Sequence, residues 1–178
     1  MLLLEEVVLV NERDEPIGTM EKMAAHEQAL LHRAFSIFIF NEQGEMLLQQ
    51  RALTKYHSGG LYTNACCSHP RPNELVTDAA QRRLFEEMGF VTPLQKAFTF
   101  TYKAAFDNGL TEYEFDHVFV GQYEGTILPD PLEVATYCYK NVSLIEEEIA
   151  TTPNKYTAWF LIAFPKVKAY LHQQNLFQ

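Results

Sequence analysis

The chain has 178 residues, of which 47% are hydrophobic and 13% aromatic, a composition that supports a packed core and argues against disorder. Its formal net charge of −9 argues against a general nucleic-acid binder, because contact with a phosphate backbone requires a basic surface. No segment approaches the roughly 18 uninterrupted apolar residues of a membrane span. We expect one domain over residues 1–178, with no nucleic-acid or membrane partner.

The first residues of the chain and its cysteines both favour a cytoplasmic location. Residues 1–6 lack the basic region and the long apolar core of a secretion signal. The three cysteines, Cys66, Cys67 and Cys138, are odd in number and two are adjacent, which disfavours a disulfide framework. A reducing, cytoplasmic compartment is therefore expected.

The first third of the chain predicts short strands joined by turns. A turn-like segment at residues 11–18 follows the first strand, and the turn at residues 41–44 joins two runs into a hairpin. The run that precedes this hairpin turn is apolar and rich in aromatic and β-branched residues, as in a buried strand. The predicted strands are residues 6–10, 34–40, 45–50 and 61–66.

A helix is predicted over residues 74–88, because its apolar residues recur at helical spacing. Gly89 follows at the position where helices often end in a glycine. The apolar positions that fall roughly on one face are Leu75, Ala79, Ala80, Leu84 and Met88.

The remaining elements alternate strands with terminal helices. Residues 98–106 and 112–123 predict paired strands around the Asp-Asn-Gly turn at 107–109, and residues 136–142 predict another strand. Ser143 and Glu146 form a capping-box start for a short helix. Residues 157–172 predict a last helix, in which Pro165 is unfavourable. This order predicts an α/β (α+β) sandwich with a mixed sheet, not a doubly wound fold.

Residues 68–90 follow the spacing of the Nudix box, G-x5-E-x7-R-E-U-x-E-E-x-G-U, in which U is aliphatic. Two positions depart from it: Ser68 replaces the first glycine, and Arg83 replaces the glutamate that follows the arginine. Phe90 is a looser match at the last position. The positions in phase are Glu74, Arg82, Glu86, Glu87 and Gly89. The chain therefore resembles Nudix proteins over this segment, which implies a Nudix-type α/β/α sandwich.

The glutamates of the Nudix box suggest binding of divalent cations, and Arg83 changes that expectation. Glutamates three and four residues apart share a helix face, and their hard oxygens suit magnesium or manganese bound with a diphosphate. Arg83 removes one carboxylate from that face and adds a cation. This change favours holding a diphosphate intact over hydrolysing it with several metal ions. Without the in-phase box, the same residues would be interpreted as a solvated charged helix.

A second group of residues has the composition of a metal site. Glu112 and Glu114 alternate with Tyr113, so both carboxylates point to the same side of a strand. Together with His26, His32 and His69 they would form a mixed nitrogen and oxygen site for manganese, zinc, iron or magnesium. Spacing alone does not show that these histidines converge. His57, His117 and His172 are interpreted as ordinary surface or core residues.

The segment from Cys66 to His69 combines a thiol with an imidazole two residues away, just before the charged helix. Neighbouring residues on a strand point to opposite faces, so only one of Cys66 and Cys67 can enter a pocket. A buried, inert thiol is the commonest fate of a free cysteine, and Cys138 has no motif around it.

Beyond the Nudix box, the chain resembles the type 1 isopentenyl-diphosphate isomerases, a family of Nudix fold. The replacement at Arg83 is what this family shows. The resemblance runs through nearly the whole chain and is weakest after Glu124. The matching segments are residues 21–26, 31–36, 50–55, 62–70 and 82–89, Tyr102, residues 112–114 and Trp159.

The resemblance implies that isopentenyl diphosphate and dimethylallyl diphosphate are interconverted in isoprenoid biosynthesis, through a tertiary carbocation-like state. It makes Glu114 the proton donor and Cys67 the base, with Tyr102 relaying or orienting the proton, and Trp159 the group that stabilises the cation. Binding of the diphosphate falls to Lys22, Arg51, Lys55 and Arg83.

The resemblance also implies two cations. Mn²⁺, Zn²⁺ or Mg²⁺ would be held by His26, His32, His69, Glu112 and Glu114. A Mg²⁺ that bridges the diphosphate would be held by Glu87 and the backbone carbonyl of Cys67. The expected partner is a small diphosphate substrate, and the expected state is a monomer.

Two other functions remain open at this point. One is a Nudix hydrolase that cleaves a nucleoside diphosphate derivative, against which Arg83 already argues. The other is a non-catalytic metal-binding Nudix module, which loss of the cysteine or of the strand glutamates would have supported; both are present. A cysteine hydrolase is less favoured, because no Asn or Asp can be assigned as the orienting group.

Overall fold

The computed structural model describes residues 5–176, and in this range nine strands form one mixed sheet. The expectation about a secretion signal falls largely on residues 1–4, which lie outside the described residues. The strands are β1 Glu6–Val10, β2 Pro16–Glu21, β3 His32–Phe40, β4 Met46–Arg51, β5 Tyr62–Thr63, β6 Cys66–Ser68, β7 Leu94–Ala105, β8 Thr111–Gln122 and β9 Val134–Lys140. The helices are α1 Lys22–Glu27, α2 Val76–Met88, α3 Val142–Thr151 and α4 Ala158–Gln174, with a short 3-10 helix at Pro153–Lys155.

Strand β3 is the centre of the sheet. It runs parallel to β8, with His32 opposite Glu114 and Phe40 opposite Gln122. It is antiparallel to β1, β4 and β6. Strand β7 extends the sheet beyond β8, and β4 carries β5 and β9. This register brings the start of β3, the middle of β8 and all of β6 close together.

The sheet separates two apolar cores, as expected for an α/β/α sandwich. Phe35, Ile37 and Ile39 of β3 point to the face that α2 covers, where Leu84 and Met88 pack against them. The alternate residues Phe38 and Phe40 of β3 point to the face covered by α3 and α4. There they pack with Ile145, Phe160, Phe164 and Val167. Burial on both faces explains why residues 34–40 form a nearly continuous apolar run.

The predicted strand at residues 61–66 is wrong in its extent. Two short strands replace it, β5 on β4 and β6 on β3, with Asn64 and Ala65 between them. The Asn64 carboxamide donates to the backbone carbonyls of Ile37 and Cys66, so a side chain takes over bonds that a continuous strand would make. As a result Cys67 lies on β6, beyond the predicted strand.

The turn at residues 11–18 is also shorter than predicted. The Asn11 side chain accepts bonds from the backbone of Arg13 and Glu15, and Asp14 adopts a left-handed φ of 63°. This asparagine-based turn is complete by Glu15, and β2 begins at Pro16. Helix α1, which no sequence pattern predicted, follows β2 directly.

The helix boundaries differ from the predictions at their N-termini. Helix α2 begins at Val76 instead of residue 74, and ends as predicted at Gly89, whose φ is 75°. The predicted cap at Ser143 is wrong: Asn141 caps α3 by accepting from the Ser143 backbone N–H at 2.9 Å. Pro165 lies inside α4 and is exposed, so solvent can bond the carbonyl that loses its helical partner.

Among residues 5–176, no helix is both long enough and apolar enough to span a membrane.

Candidate active site

Four side chains converge at one end of the β3–β8 pair in a group that could hold a metal ion. His26, His32, His69 and Glu114 each present one ligand atom, and these atoms lie within 4.8 Å of one another. The ring centroids of the three histidines are 5.0 to 5.8 Å apart. The structure thus brings together all three histidines that spacing alone could not show to converge.

Each member of this metal group is positioned by a local feature of the sequence. The Glu21 carboxylate caps α1 by accepting from Met23 and Ala24 backbone N–H groups, which orients the short helix that carries His26. His32 Nδ1 bonds the Leu30 carbonyl oxygen at 2.8 Å, so its Nε2 faces the group. His69 follows β6 directly, and its Nε2 lies 3.0 Å from Glu114 Oε1.

Burial and the Glu114 carboxylate shift the pKa values of the metal group in different directions. Burial and the neighbouring imidazoles of His69 and His32 lower the pKa of His26 to about 3, so its lone pair is available. Burial alone would lower the pKa of His32, but Glu114 outweighs it and raises the pKa. Burial would raise the pKa of Glu114, but bonds from His32 and His69 lower it well below its usual value.

These residues fit a divalent metal of the type that imidazoles and a carboxylate prefer. His26 Nε2 and His32 Nε2 face each other at 3.3 Å, and His26 Nδ1 is buried without a partner. Nitrogen lone pairs turned toward one another and toward a carboxylate oxygen are unfavourable unless a proton or a cation lies between them.

Glu112 lies outside this group in the described part of the chain, contrary to the expected five-residue set. Its Oε2 accepts from the Tyr102 hydroxyl at 3.0 Å, and its Oε1 lies 3.3 Å from His57 Nε2. The side chain is turned along the strand face toward His57, a residue that the sequence analysis assigned no role. Burial and Glu114 raise the pKa of Glu112.

Tyr102 links the two strand carboxylates. Its hydroxyl donates to Glu114 Oε2 at 2.6 Å as well as to Glu112, because Tyr102 on β7 lies directly opposite Glu114 on β8. Burial and both carboxylates raise the pKa of Tyr102 well above 10, so the hydroxyl keeps its proton. The Tyr102 hydroxyl therefore contacts the carboxyl group whose proton the resemblance expects it to relay or orient.

The Cys67 thiol is half-buried and lies between two polar side chains. Its Sγ donates to Asn64 Oδ1 at 3.1 Å and lies 3.4 Å from Ser36 Oγ. Burial and the Asp116 carboxyl raise the pKa of Cys67, against the opposing effect of these two bonds. Cys66 is fully buried in the core beneath α2, as the alternation of a strand predicts.

Asp116 was not predicted and is the most deeply buried carboxyl of the site. It is 1% exposed, and its Oδ2 accepts from the Ser36 hydroxyl at 2.7 Å, while Oδ1 has no partner. Burial and Glu114 raise its pKa well above the usual value. The residue continues the Glu112–Glu114 alternation along β8, which is the one sequence signal that could have identified it.

A cavity of about 620 Å³ opens beside the thiol and is strongly charged. Cys67 and His69 line one side of it, and Glu87 of α2 lines another. All four cations expected to bind a diphosphate line the same cavity: Lys22, Arg51, Lys55 and Arg83. A second cavity of about 610 Å³ lies between α3 and α4, remote from these groups.

Carboxylates pair with three of the four cations expected to bind a diphosphate. Lys22 is paired with Glu5, and Lys55 with Glu133. Arg83 bonds Glu87 Oε1 at 2.6 Å and lies 3.3 Å from Glu133. Arg51 is an exception, since its guanidinium carbon lies 5.1 Å from the centre of the Trp159 ring and one nitrogen donates to the His57 carbonyl oxygen.

Trp159 is 4% exposed and does not line the charged cavity. It lies at the start of α4, behind Arg51, with the His57 ring edge-on at 5.8 Å. Its Nε1 is buried without a partner. His57 also stacks on Phe106 at 4.5 Å, so these rings form an aromatic wall beside the cavity.

The charged residues of the Nudix box have two roles in the structure. Arg82 bonds both oxygens of Glu74 at 2.7 and 2.8 Å, and also contacts Glu86, which locks the loop before α2 onto the helix. Arg83 and Glu87 face the cavity. Burial raises the pKa of Glu87, against the opposing charge of Arg83.

The mixed sheet, with the Nudix box on and before α2, defines a Nudix-domain protein. Comparison with known proteins agrees. The NUDIX domain family matches residues 30–160. Protein DR0079 of Deinococcus radiodurans superposes with a TM-score of 0.69 at 19% identity, over 83% of this chain and 90% of its own. A MutT protein of Methanosarcina mazei Go1 gives 0.64 at 18% identity, over 78% and 94%. These two likenesses establish the fold.

Closer relatives give the family. An isopentenyl-diphosphate Delta-isomerase of Burkholderia multivorans is 52% identical over 88% of this chain and 89% of its own. Isomerases of the same name from Pectobacterium atrosepticum and Serratia proteamaculans are 48% and 50% identical, over 94% and 88% of this chain and 93% and 88% of theirs. The chain belongs to the isopentenyl-diphosphate Delta-isomerase family.

Proposed function

We propose that the protein interconverts isopentenyl diphosphate and dimethylallyl diphosphate, with Cys67 and Glu114 as the two proton-transfer groups. The observation that carries the proposal is a thiol in a cavity lined by the cations expected to bind a diphosphate, next to His69. The Nε2 of His69 lies 3.0 Å from the Glu114 carboxylate, to which Tyr102 donates a hydrogen bond. Membership of the isomerase family supports the same reaction.

The diphosphate is held by Lys22, Arg51, Lys55 and Arg83 at the mouth of the charged cavity. Carboxylates now paired with these cations would release them to the more highly charged phosphate oxygens. This local cluster reconciles an anionic substrate with a chain of net charge −9. It also retains the diphosphate, because Arg83 stands where a hydrolase of this fold has a glutamate.

The isomerisation moves one proton onto the terminal alkene carbon and removes another from the allylic carbon. Between these steps the substrate passes through a tertiary carbocation-like state, and the double bond is shifted by one position. Glu114 delivers the first proton, with Tyr102 orienting its carboxyl group, and Cys67 accepts the second. A positioned acid and base contribute about 10²- to 10⁴-fold each.

The electrostatics of the two groups favour a protonated thiol and an ionised carboxylate. The pKa of Cys67 is raised and that of Glu114 is lowered in this structure, so the proton resides on the thiol. That arrangement is the starting state of the reverse direction. The forward direction requires the opposite distribution, with the proton on Glu114 and Cys67 deprotonated.

Cations would act from two positions. His26, His32, His69 and Glu114 would hold Mn²⁺, Zn²⁺ or Mg²⁺, with Glu112 as the neighbouring carboxylate, and a cation bound there lowers the cost of transferring a proton from Glu114. Glu87 and the Cys67 carbonyl would hold Mg²⁺ against the diphosphate. Trp159, whose ring centre lies 5.1 Å from the Arg51 guanidinium carbon, would support the carbocation-like state through its aromatic ring.

The deciding experiment follows formation of dimethylallyl diphosphate from isopentenyl diphosphate with Mg²⁺. We expect Cys67→Ala and Glu114→Gln to lose activity by about 10²- to 10⁴-fold, because each removes one partner in proton transfer. Cys138→Ala, which removes a thiol outside the site, should retain activity. An inactive wild-type protein, or full activity in Cys67→Ala, would contradict the proposal.

We further propose a monomer in the cytoplasm. All three cysteines are free, which is consistent with a reducing compartment.

A further inference from the structure

Asn64 is fully buried in the break between β5 and β6, and every polar atom of its side chain is bonded. Nδ2 donates to the Ile37 carbonyl at 3.0 Å and to the Cys66 carbonyl at 2.9 Å. Two backbone acceptors on this side settle the orientation of the carboxamide, because its oxygen could not face them. Oδ1 is therefore turned toward Cys67.

The Asn64 Oδ1 accepts two hydrogen bonds, one from a thiol and one from a hydroxyl. The Cys67 thiol donates to it at 3.1 Å, and the Thr63 hydroxyl donates to it at 3.0 Å. Because both its N–H groups are anchored to backbone, the carboxamide cannot rotate to follow the sulfur. The sulfur must instead adopt the direction that Asn64 sets.

The same network continues to α4. The Thr157 hydroxyl donates to Thr63 Oγ1 at 3.1 Å, and Thr157 is the N-cap of α4, accepting from the Phe160 backbone N–H. The Thr157 backbone N–H also bonds the Tyr62 carbonyl at 3.0 Å. Trp159 is the second residue of this helix. An unbroken series of hydrogen bonds thus joins the thiol to the helix end that carries the indole.

We infer that Asn64 is a positioning residue for Cys67, and that the Thr63–Thr157 bond holds this thiol in a set relation to helix α4 and Trp159. The inference rests on the proposed role of Cys67. A thiol forms weak hydrogen bonds, and β6 has only three residues, so the sulfur needs an external support. Proton transfer demands such support, since a misplacement of about 1 Å can cost on the order of 10²-fold in rate.

Three variants test the network by kcat and KM. Asn64→Ala should lower kcat by roughly tenfold to 10²-fold with KM within twofold of wild type, because Asn64 does not line the cavity. Thr63→Val should lower kcat by about fivefold, the effect of one lost hydrogen bond, and Thr63→Ser should restore it. Thr92→Val, which removes a hydroxyl that bonds the Gln122 carbonyl far from the site, is the matched control and should leave kcat unchanged.

Alkylation of Cys67 by iodoacetamide, followed by mass spectrometry, gives a readout that does not depend on catalysis. Freed from Asn64, the sulfur can turn toward the cavity, so Asn64→Ala should react at least threefold faster at Cys67 while buried Cys66 stays unlabelled. Labelling of Cys66 would reveal unfolding, and Thr63→Val then decides alone.

Two results separate the inference from the proposed function. If the wild type is active, and Thr63→Val and a folded Asn64→Ala both keep kcat within twofold of it, only the inference is overturned. An inactive wild type would overturn the proposed function. The inference would be overturned if Cys67 in Asn64→Ala were alkylated at the wild-type rate. If Asn64→Ala unfolds, the same result in Thr63→Val would overturn it.

Discussion

His117 connects the β1–β2 turn to the centre of the sheet and lies apart from the metal group. Its Nε2 is 2.9 Å from Asp14 Oδ2, and Arg33 donates to the same carboxylate at 2.7 Å. Burial lowers the pKa of His117; Asp14 opposes this, while Lys96 and Arg33 reinforce it. The interpretation of this histidine as an ordinary core residue agrees with its 5% exposure and its absence from the metal group among the described residues.

The lowered pKa predicts a loss of stability in mild acid. Below the unfolded value of about 6.5 the unfolded chain binds a proton that the folded chain does not, so stability falls as pH drops from 6.5 toward 5. His117→Gln should flatten the fall in Tm over this interval by on the order of 2 °C, given that about 1 kcal/mol shifts Tm by roughly 2–4 °C in a chain of this size.

Calorimetry on metal-free protein between pH 5 and 8 would measure this effect. His172→Gln, which changes an exposed histidine at the end of α4, is the control and should follow the wild-type curve. If the Tm of His117→Gln fell as steeply with decreasing pH as that of the wild type, another group would be responsible for the loss of stability in acid.

Single residues also explain which parts of the site were predictable. Cys67, His69, Glu114 and the cavity cations lie in motifs whose spacing can be recognised in one sequence. Ser36 and Asp116 were missed because a serine in an apolar strand and an aspartate beyond an acidic pair have no local signature. Their roles arise only where β3 meets β6 and β8.

At the scale of elements, the end of α2 determines how the charged helix meets the rest of the fold. Gly89 has a φ of 75°, and a Cβ built there would lie 2.3 Å from the Leu128 carbonyl oxygen. The close approach lets the Leu128 N–H bond the Met88 carbonyl and the Asp130 N–H bond the Glu87 carbonyl. The segment that follows brings Glu133 to Arg83 and Lys55.

Gly89→Ala should therefore destabilise the protein by about 3 kcal/mol or more, which combines left-handed strain with a backbone clash. Gly109→Ala is the matched control. Its φ is 83° but nothing lies within 4 Å of a built Cβ, so only the strain of about 1–2 kcal/mol applies. Urea denaturation would measure both free energies of unfolding, and equal losses would show that the Leu128 contact is unimportant.

The elements differ in how well local patterns predicted them. Helix α2 and the β7–β8 pair were confirmed within a few residues, since helical spacing and the Asp-Asn-Gly turn are local signals. The break between β5 and β6 was missed, because it depends on backbone carbonyls of β3 that Asn64 reaches across the sheet. The N-cap of α3 was misplaced by two residues, since Asn141 and Ser143 are both suitable caps and bond each other.

At the scale of the whole molecule, a chain of net charge −9 concentrates cations at one cavity. This arrangement predicts that inorganic pyrophosphate binds in the cavity. Its affinity should fall as the salt concentration rises from about 0.05 M to about 0.5 M, because salt screens partly exposed charges. Lys55→Met should weaken binding by about tenfold, the effect of one charge-assisted hydrogen bond. Isothermal titration calorimetry gives both effects.

Lys166→Met is the control for the pyrophosphate titration, since this exposed lysine lies on α4 and not in the cavity. If it weakened binding as much as Lys55→Met, the attraction would be a property of the total charge and not of the cavity.

Patterns among neighbouring residues were enough to predict the fold class, the Nudix box on α2 and the chemical types at the site, because periodicity, helix-ending glycines and motif spacing are local. Which of these residues meet depends on the tertiary fold. It placed Glu114 with three histidines, turned Glu112 toward His57, set Trp159 behind Arg51, and joined Asn64 to Cys67. The physical reason is that strand register and side-chain direction depend on partners distant in the chain, and a contact of about 3 Å is not encoded by spacing alone.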